Sequence, residues 1–125
     1  MFNQNLKMYN QNIEYLNNVI DVAESYIKDK EYIGIFGVSI AGIWLSEIII
    51  NYIEIQEGQE LFFAYGDIDI LNRKIGVIDL QIYNLENIPK QATVFLPFPK
   101  FAFDWIKRKY KNRYDNIEFI DFFRF

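Results

Sequence analysis

Along residues 3–29 the apolar positions fall at Leu6, Tyr9, Ile13, Leu16, Ile20, Ala23 and Ile27. The steps alternate three and four, the seam of an amphipathic helix. Val19, Val22 and Tyr26 widen that stripe, and Lys28-Asp-Lys30 ends it with polar residues. The period then changes. Tyr32–Phe36 is short, apolar and rich in strand formers, which predicts a first strand buried on both faces. A turn is expected over Gly37–Gly42, then a helix over Ile43–Tyr52 with Trp44, Ile48, Ile49 and Tyr52 apolar. Gln56–Gln59 reads as a loop, Glu60–Tyr65 as a second strand, and 66–76 as a loop.

Val77–Tyr83 alternates imperfectly and predicts a short third strand, followed by a connector over Asn84–Lys90 holding one helical turn. Thr93–Leu96 is the fourth strand. Pro97-Phe-Pro99 stops it and starts a helix to about Asn112, because Pro suits a first helical position. Ile117–Phe122 is the fifth strand. Strands alternating with helices, and strands apolar almost throughout, imply a parallel sheet covered on both faces. The expected architecture is therefore α/β: a Rossmann-like three-layer α/β/α domain with a mainly parallel sheet of four to five strands. An N-terminal amphipathic helix (residues 1–30) precedes the α/β core (31–125), and all 125 residues form one domain.

Composition narrows the chemistry. The chain contains no Cys and no His. Disulfides, thiol nucleophiles, imidazole catalysis and zinc or iron sites drop out together, and no metal site is expected. The formal net charge of −4 argues against a dedicated nucleic-acid binder. The apolar run Ile43–Ile50 is broken by Ser46 and Glu47, too short and too polar to span a bilayer. The first 30 residues carry charges throughout and lack a signal-peptide core, so a cytoplasmic location is expected.

In open α/β sheets ligands sit beyond the carboxyl ends of the strands, where strand order reverses. Here that crevice is expected between the 37–42 turn, Asp67–Asp69 and Pro97-Phe98. Gly37-x-Ser39-x-x-Gly42 follows the dinucleotide fingerprint with Ser in the second glycine place. Gly37 permits the tight turn, and Gly42 lets helix and strand pack closely. Ser39 crowds the backbone approach to a pyrophosphate, but its hydroxyl suits a single phosphate or a helix cap. Ile40 completes the turn. Asp67 or Asp69 is placed to hold ribose hydroxyls, about 30 residues after Gly37 rather than the usual 20 or so. The plain alternative is a first strand–helix junction that binds nothing. Gly37-Val-Ser39-Ile-Ala41 also resembles a nucleophile elbow, but no His exists to activate Ser39. A P-loop is excluded because Ile43 and Trp44 stand where Lys and Ser/Thr belong.

Lys107–Arg113 holds five cations in seven residues. At a helix C-terminus such charges complement the dipole and solvate a face. An acidic partner or a membrane surface is the alternative. That helix leaves the carboxyl edge of the sheet, so its last residues, Lys107 and Tyr110 among them, are expected at the opposite edge. Asp104 is expected at the surface and Trp105 in the core. Phe119, Phe122, Phe123 and Phe125 read as core and edge cover.

Several of these segments are similar to those of one family. Ile35-Phe-Gly-Val-Ser-Ile-Ala-Gly-Ile-Trp-Leu-Ser46 resembles the "GIFGtSIAGtWL" turn of a Rossmann-like module. That module stands at the C-terminus of certain bacterial S-adenosylmethionine-dependent methyltransferases, sugar C-methyltransferase-like proteins among them. Phe62-Phe63 with a following Asp is similar to "FFvDeD", Asn72–Gly76 to "nRiGk", and Ile82-Tyr83 with Ile88-Pro89 to "vy.pe.iP". Thr93–Pro99 resembles "VfipLP", and Ala102–Lys109 the following "lA..I..R". The likeness covers about residues 15–112. Tyr65-Gly66 stand where the family has its first acid, and the glycine-rich S-adenosylmethionine-binding domain has no counterpart in these residues.

The resemblance implies an accessory domain, a fragment or stand-alone copy, associated with nucleotide-sugar or surface-polysaccharide modification. The leading expectation is a non-catalytic domain that binds a nucleotide or nucleotide sugar through Gly37, Ser39, Ile40, Gly42, Asp67, Asp69, Pro97 and Phe98. A methyltransferase would be its partner. The first alternative is an interaction module with an empty crevice, forming a homodimer through the N-terminal helix. The second is an NAD(P)-dependent enzyme, for which no Tyr–Lys pair stands near the crevice.

Overall fold

β1 (Tyr32–Phe36) lies in the middle of five parallel strands, in the order β3-β2-β1-β4-β5. The computed structural model describes residues 2–37, 40–66, 80–88, 91–110 and 113–122, and only the backbone of residues 2–9 and 40. The other strands are β2 (Glu60–Tyr65), β3 (Gln81–Asn84), β4 (Ala92–Leu96) and β5 (Ile117–Asp121). The helices are α1 (Phe2–Ile27), α2 (Ile40–Tyr52) and α3 (Lys100–Tyr110), with a single 3-10 turn at Leu85–Asn87.

The order follows from chain direction. From β1 the chain steps outward through α2 to β2 and then to β3. It returns to the other side of β1 as β4 and steps outward again through α3 to β5. Right-handed crossovers of opposite direction put their helices on opposite faces. On one face Val19, Ala23 and Ile27 of α1 and Leu45, Ile48 and Ile49 of α2 pack on Ile33, Ile35, Phe63 and Phe95. On the other, Phe103, Ile106 and Tyr110 of α3, with Leu85 and Ile88, cover Phe62, Ala64, Val94, Leu96 and Phe119. This is the expected three-layer arrangement, with all five strands parallel.

Both faces being covered explains why the central strands β1, β2 and β4 read as near-continuous apolar runs rather than as alternation. Gly34 in β1 shows how tightly the layers meet: a Cβ there would lie 2.7 Å from the Phe62 ring and 3.1 Å from Val94. α1 ends as the polar Lys28–Lys30 stop predicts. Asp29 takes the left-handed conformation at φ 68°, and the Gln59 side-chain amide donates to the carbonyls of Ile27 and Lys30 at 3.0 and 2.6 Å. The Ile27 carbonyl also accepts from the Lys30 N–H at 3.1 Å, so backbone and side chain together close the end of α1.

Several expectations need correction. α2 begins at Ile40, so Gly42 belongs to its first turn rather than to the preceding loop. Trp105 is not in the core: it is 56% exposed, because the core face of α3 is already filled by Phe103, Ile106 and Tyr110. Asp104 is half-buried and pairs with Lys100 at 3.7 Å. Ile13, on the predicted seam of α1, is 41% exposed, while Val19 is fully buried. The described part of β3 starts at Gln81, and 77–79 lie outside the described residues. In the aromatic tail Phe119 and Phe122 are buried, and Phe123 and Phe125 lie outside the described residues. No helix, among the described residues, is long and apolar enough to cross a membrane.

Candidate functional site

Strand order reverses between β1 and β4, so the crevice at their carboxyl ends is the place where this architecture exposes backbone to a ligand. Ile35 pairs with Phe95. Continuing that register brings Gly37 level with Pro97 across the crevice. Gly37 has φ +83°, a conformation that side chains other than glycine rarely adopt. It turns the chain out of the sheet towards α2, which starts three residues later. The first-turn N–H groups of α2 carry the positive end of its dipole to this edge.

The Gly37 N–H is not itself an anion donor. It extends the sheet by donating to the Ala64 carbonyl at 2.9 Å. Any phosphate contact from this segment therefore belongs to residues beyond Gly37. Phe98 closes the other side: a Cβ on Gly37 would meet its Cζ at 3.4 Å, and its ring lies edge-on to Phe36 at 6.3 Å. Pro97 is buried at the end of β4, where it stops the strand. Of the predicted site residues, Gly37, Gly42, Pro97 and Phe98 are thus at this edge, with Ile40 known by its backbone. Ser39, Asp67 and Asp69 lie outside the described residues.

The structure adds a residue that the sequence reading put elsewhere. Tyr110 is the last residue of α3, yet its ring lies 6.0 Å from that of Phe36, and its hydroxyl end fills the space that a side chain on Gly66 would need. Phe36 and Gly66 are both at the carboxyl ends of their strands. The physical reason is side-chain direction: long helical side chains lean towards the helix N-terminus. Tyr110 therefore reaches back under the crevice although its backbone is at the far end of α3. The signal was present in the spacing Phe103, Ile106, Tyr110, which marks the inward face. Lys107 does not follow Tyr110 inward; its ammonium lies over the Phe103 ring at 5.5 Å.

Asn84 ties the neighbouring loops together. Its amide donates to the Gly66 carbonyl at 2.9 Å, and its side-chain oxygen accepts from the Glu86 N–H at 3.0 Å, capping the 3-10 turn. The crevice floor is therefore aromatic (Phe36 and Phe98, with Tyr110 buried behind them), and its rim is backbone held by the sheet and by Asn84. Such a floor suits a planar ring or an apolar edge, with backbone dipoles available for charge.

Of the groups with raised proton affinity, Tyr114 borders Tyr110, their ring centroids 6.1 Å apart, and Tyr83 is turned towards Glu60. The Tyr83 hydroxyl donates to Glu60 Oε1 at 2.8 Å. Burial, then the bond to Glu60 and its charge, push Tyr83 up to about 12. Burial raises Tyr114, and Arg113 partly opposes it; the Tyr114 hydroxyl donates to Glu86, which also pairs with Arg113 at 3.3 Å. Among the described residues no cluster of carboxylates is grouped to hold a metal ion. Two cavities, of about 350 and 220 Å³, open at the opposite, amino edge of the sheet. The larger lies beside Gln59, whose side chain is committed to the end of α1.

No family model, curated protein or solved structure matches the chain.

Proposed function

We propose that the chain is a cytoplasmic accessory domain that holds a nucleotide or nucleotide sugar in the β1–β4 crevice and presents it to a sugar-modifying methyltransferase. One observation carries this reading: the positive-φ glycine of a Gly-x-Ser-x-x-Gly segment stands at the reversal of strand order, between β1 and the start of α2. In this reading Gly37 and Gly42 shape the turn, and Ser39 with the backbone at Ile40 meets phosphate. Asp67 or Asp69 takes sugar hydroxyls. Phe98 and Pro97 bound the crevice, and a base or sugar rests against Phe36 and Phe98, with Tyr110 buried behind them. The domain binds and positions; the reaction belongs to the partner.

Thermal unfolding of the chain with sugar nucleotides, NAD, NADP and S-adenosylmethionine tests this. A ligand at a hundred times its Kd stabilises by about 2.7 kcal/mol, which for a domain of this size raises Tm by roughly 10 °C. No rise with any of them defeats the reading.

A second reading, a homodimer formed through α1, is favoured by Ile13 and Trp44. They are 41% and 40% exposed, on helices joined by the Tyr15–Trp44 ring contact at 6.3 Å. Sedimentation equilibrium of the chain and of Ile13→Asp separates the two: a monomer in both removes the dimer.

A further inference from the structure

The outer face of α3 is unlike the rest of the surface. Phe101 is 78% exposed, more than any other large hydrophobic residue among those described, and Trp105, one turn on, is 56% exposed. At about 100° per residue, Phe103, Ile106 and Tyr110 lie roughly 140–200° around the helix from Phe101, while Trp105 lies only about 40° away. The two rings therefore stand opposite the core. The helix has a second apolar stripe that, among the described residues, no element covers.

Cations frame that stripe. Six of the thirteen Lys and Arg residues fall between 100 and 113, against a single acid, Asp104. Lys100, Arg108 and Lys109 are exposed beside the rings, and the Lys109 ammonium lies 4.9 Å from the Trp105 ring centroid. In a chain of net charge −4 this is a concentrated patch of opposite sign.

We propose that this face of α3 docks on the headgroup region of an anionic lipid bilayer. Exposed Phe and Trp on a basic helix enter the headgroup–acyl boundary, where an indole is both apolar and wet. Lys and Arg beside them keep their heads at the phosphates while their stems lie along the apolar layer. Charge complementarity also fixes orientation, because the acidic remainder of the protein is repelled by the same surface. A single-stranded nucleic acid fits less well. Base stacking needs the open face of Trp105, and Lys109 occupies one side of it. The proposal rests on α3 alone and stands whether or not the crevice binds a nucleotide.

The test is co-sedimentation of the full chain with vesicles of phosphatidylcholine, alone or with about 30% phosphatidylserine, at roughly 0.15 M salt. Binding is expected only with the anionic vesicles. In a Trp44→Phe background, Trp105 fluorescence should shift to the blue and be quenched by brominated acyl chains. Arg108→Gln with Lys109→Gln should weaken partitioning by roughly tenfold or more, and Phe101→Ala with Trp105→Ala should weaken it comparably. The charge variant leaves every buried apolar side chain in place and loses only the Lys109 ammonium over the Trp105 and Tyr110 rings, so it tests the idea even if the aromatic variant misfolds. Absence of binding to anionic vesicles, equal binding to neutral ones, or retention of full binding by the charge variant overturns the proposal. So does capture of the chain by single-stranded nucleic acid or an acidic polypeptide without vesicle binding.

Discussion

Gly66 and Tyr110 face each other at the crevice, each from the C-terminal end of its element, β2 and α3. A side chain on Gly66 would have to displace the buried Tyr110 ring, not merely a flexible tip. Gly66→Ala should therefore cost about 1–3 kcal/mol, the usual range for overpacking. In a Tyr110→Ala background the same change should cost little, so urea denaturation of the four proteins of a double-mutant cycle should show coupling of about 1 kcal/mol or more. Tyr83 carries the second residue-scale prediction. Its affinity for the proton is raised from 10 to about 12 in the fold. The unfolded chain thus releases the proton first as pH rises, and stability falls through that window. The contribution is complete below pH 10 and gone above about 12. Urea midpoints across this range should fall less steeply for Tyr83→Phe than for the unchanged protein, with Tyr15 and Tyr114, also raised, supplying part of the remaining slope.

At the scale of the element, α3 offers two phenylalanines two residues apart with opposite surroundings. Phe103 is 7% exposed and Phe101 78%. Phe103→Ala should cost about 3–5 kcal/mol through lost transfer energy and a cavity. Phe101→Ala should stay within about 0.5 kcal/mol. Chemical denaturation of the pair measures the difference directly, and equal costs would mean that α3 is rotated from its described position. The same helix shows what the sequence made legible. Its existence and start were readable from Pro97-Phe-Pro99, and β1 and β2 were readable to their last residues, because a strand covered on both faces leaves an unbroken apolar run. Trp105 was not readable. Apolar residues are permitted outside as well as inside, and only the angular position relative to Phe103, Ile106 and Tyr110 decides. Tyr110 was misplaced for a different reason: counting residues along a helix locates a backbone, while the ring follows the lean of its side chain. At the site, the glycine turn was legible as a turn. That its first N–H is already spent on Ala64 depends on pairing with β2, which no local pattern encodes.

At the scale of the whole molecule, the order β3-β2-β1-β4-β5 grades stability from the centre outward. β1 is paired on both sides, to β2 and to β4, and Ile33, Ile35, Val94, Phe95 and Leu96 are fully or almost fully buried. β3 is four residues long and, among the described residues, paired on one side only, with Gln81 exposed. Amides of β1 and β4 should therefore exchange with solvent only through global unfolding, and those of β3 through local opening at lower cost. This grading turns ligand binding into a map. A ligand that binds only the native state raises the global unfolding free energy, so at a hundred times its Kd it slows the β1 and β4 amides by about a hundredfold. Amides that exchange by local opening keep their rates unless the opening disrupts the bound ligand. The β1–β4 crevice lies at the ends of the two best-protected strands and apart from β3. Native-state hydrogen exchange with a saturating nucleotide should thus slow Ile33–Phe36 and Val94–Leu96 strongly while leaving Ile82 and Tyr83 nearly unchanged. Slowing of Ile82 and Tyr83 as strong as that of β1 and β4 would instead show that the ligand holds β3 closed, and would move the candidate site away from Gly37.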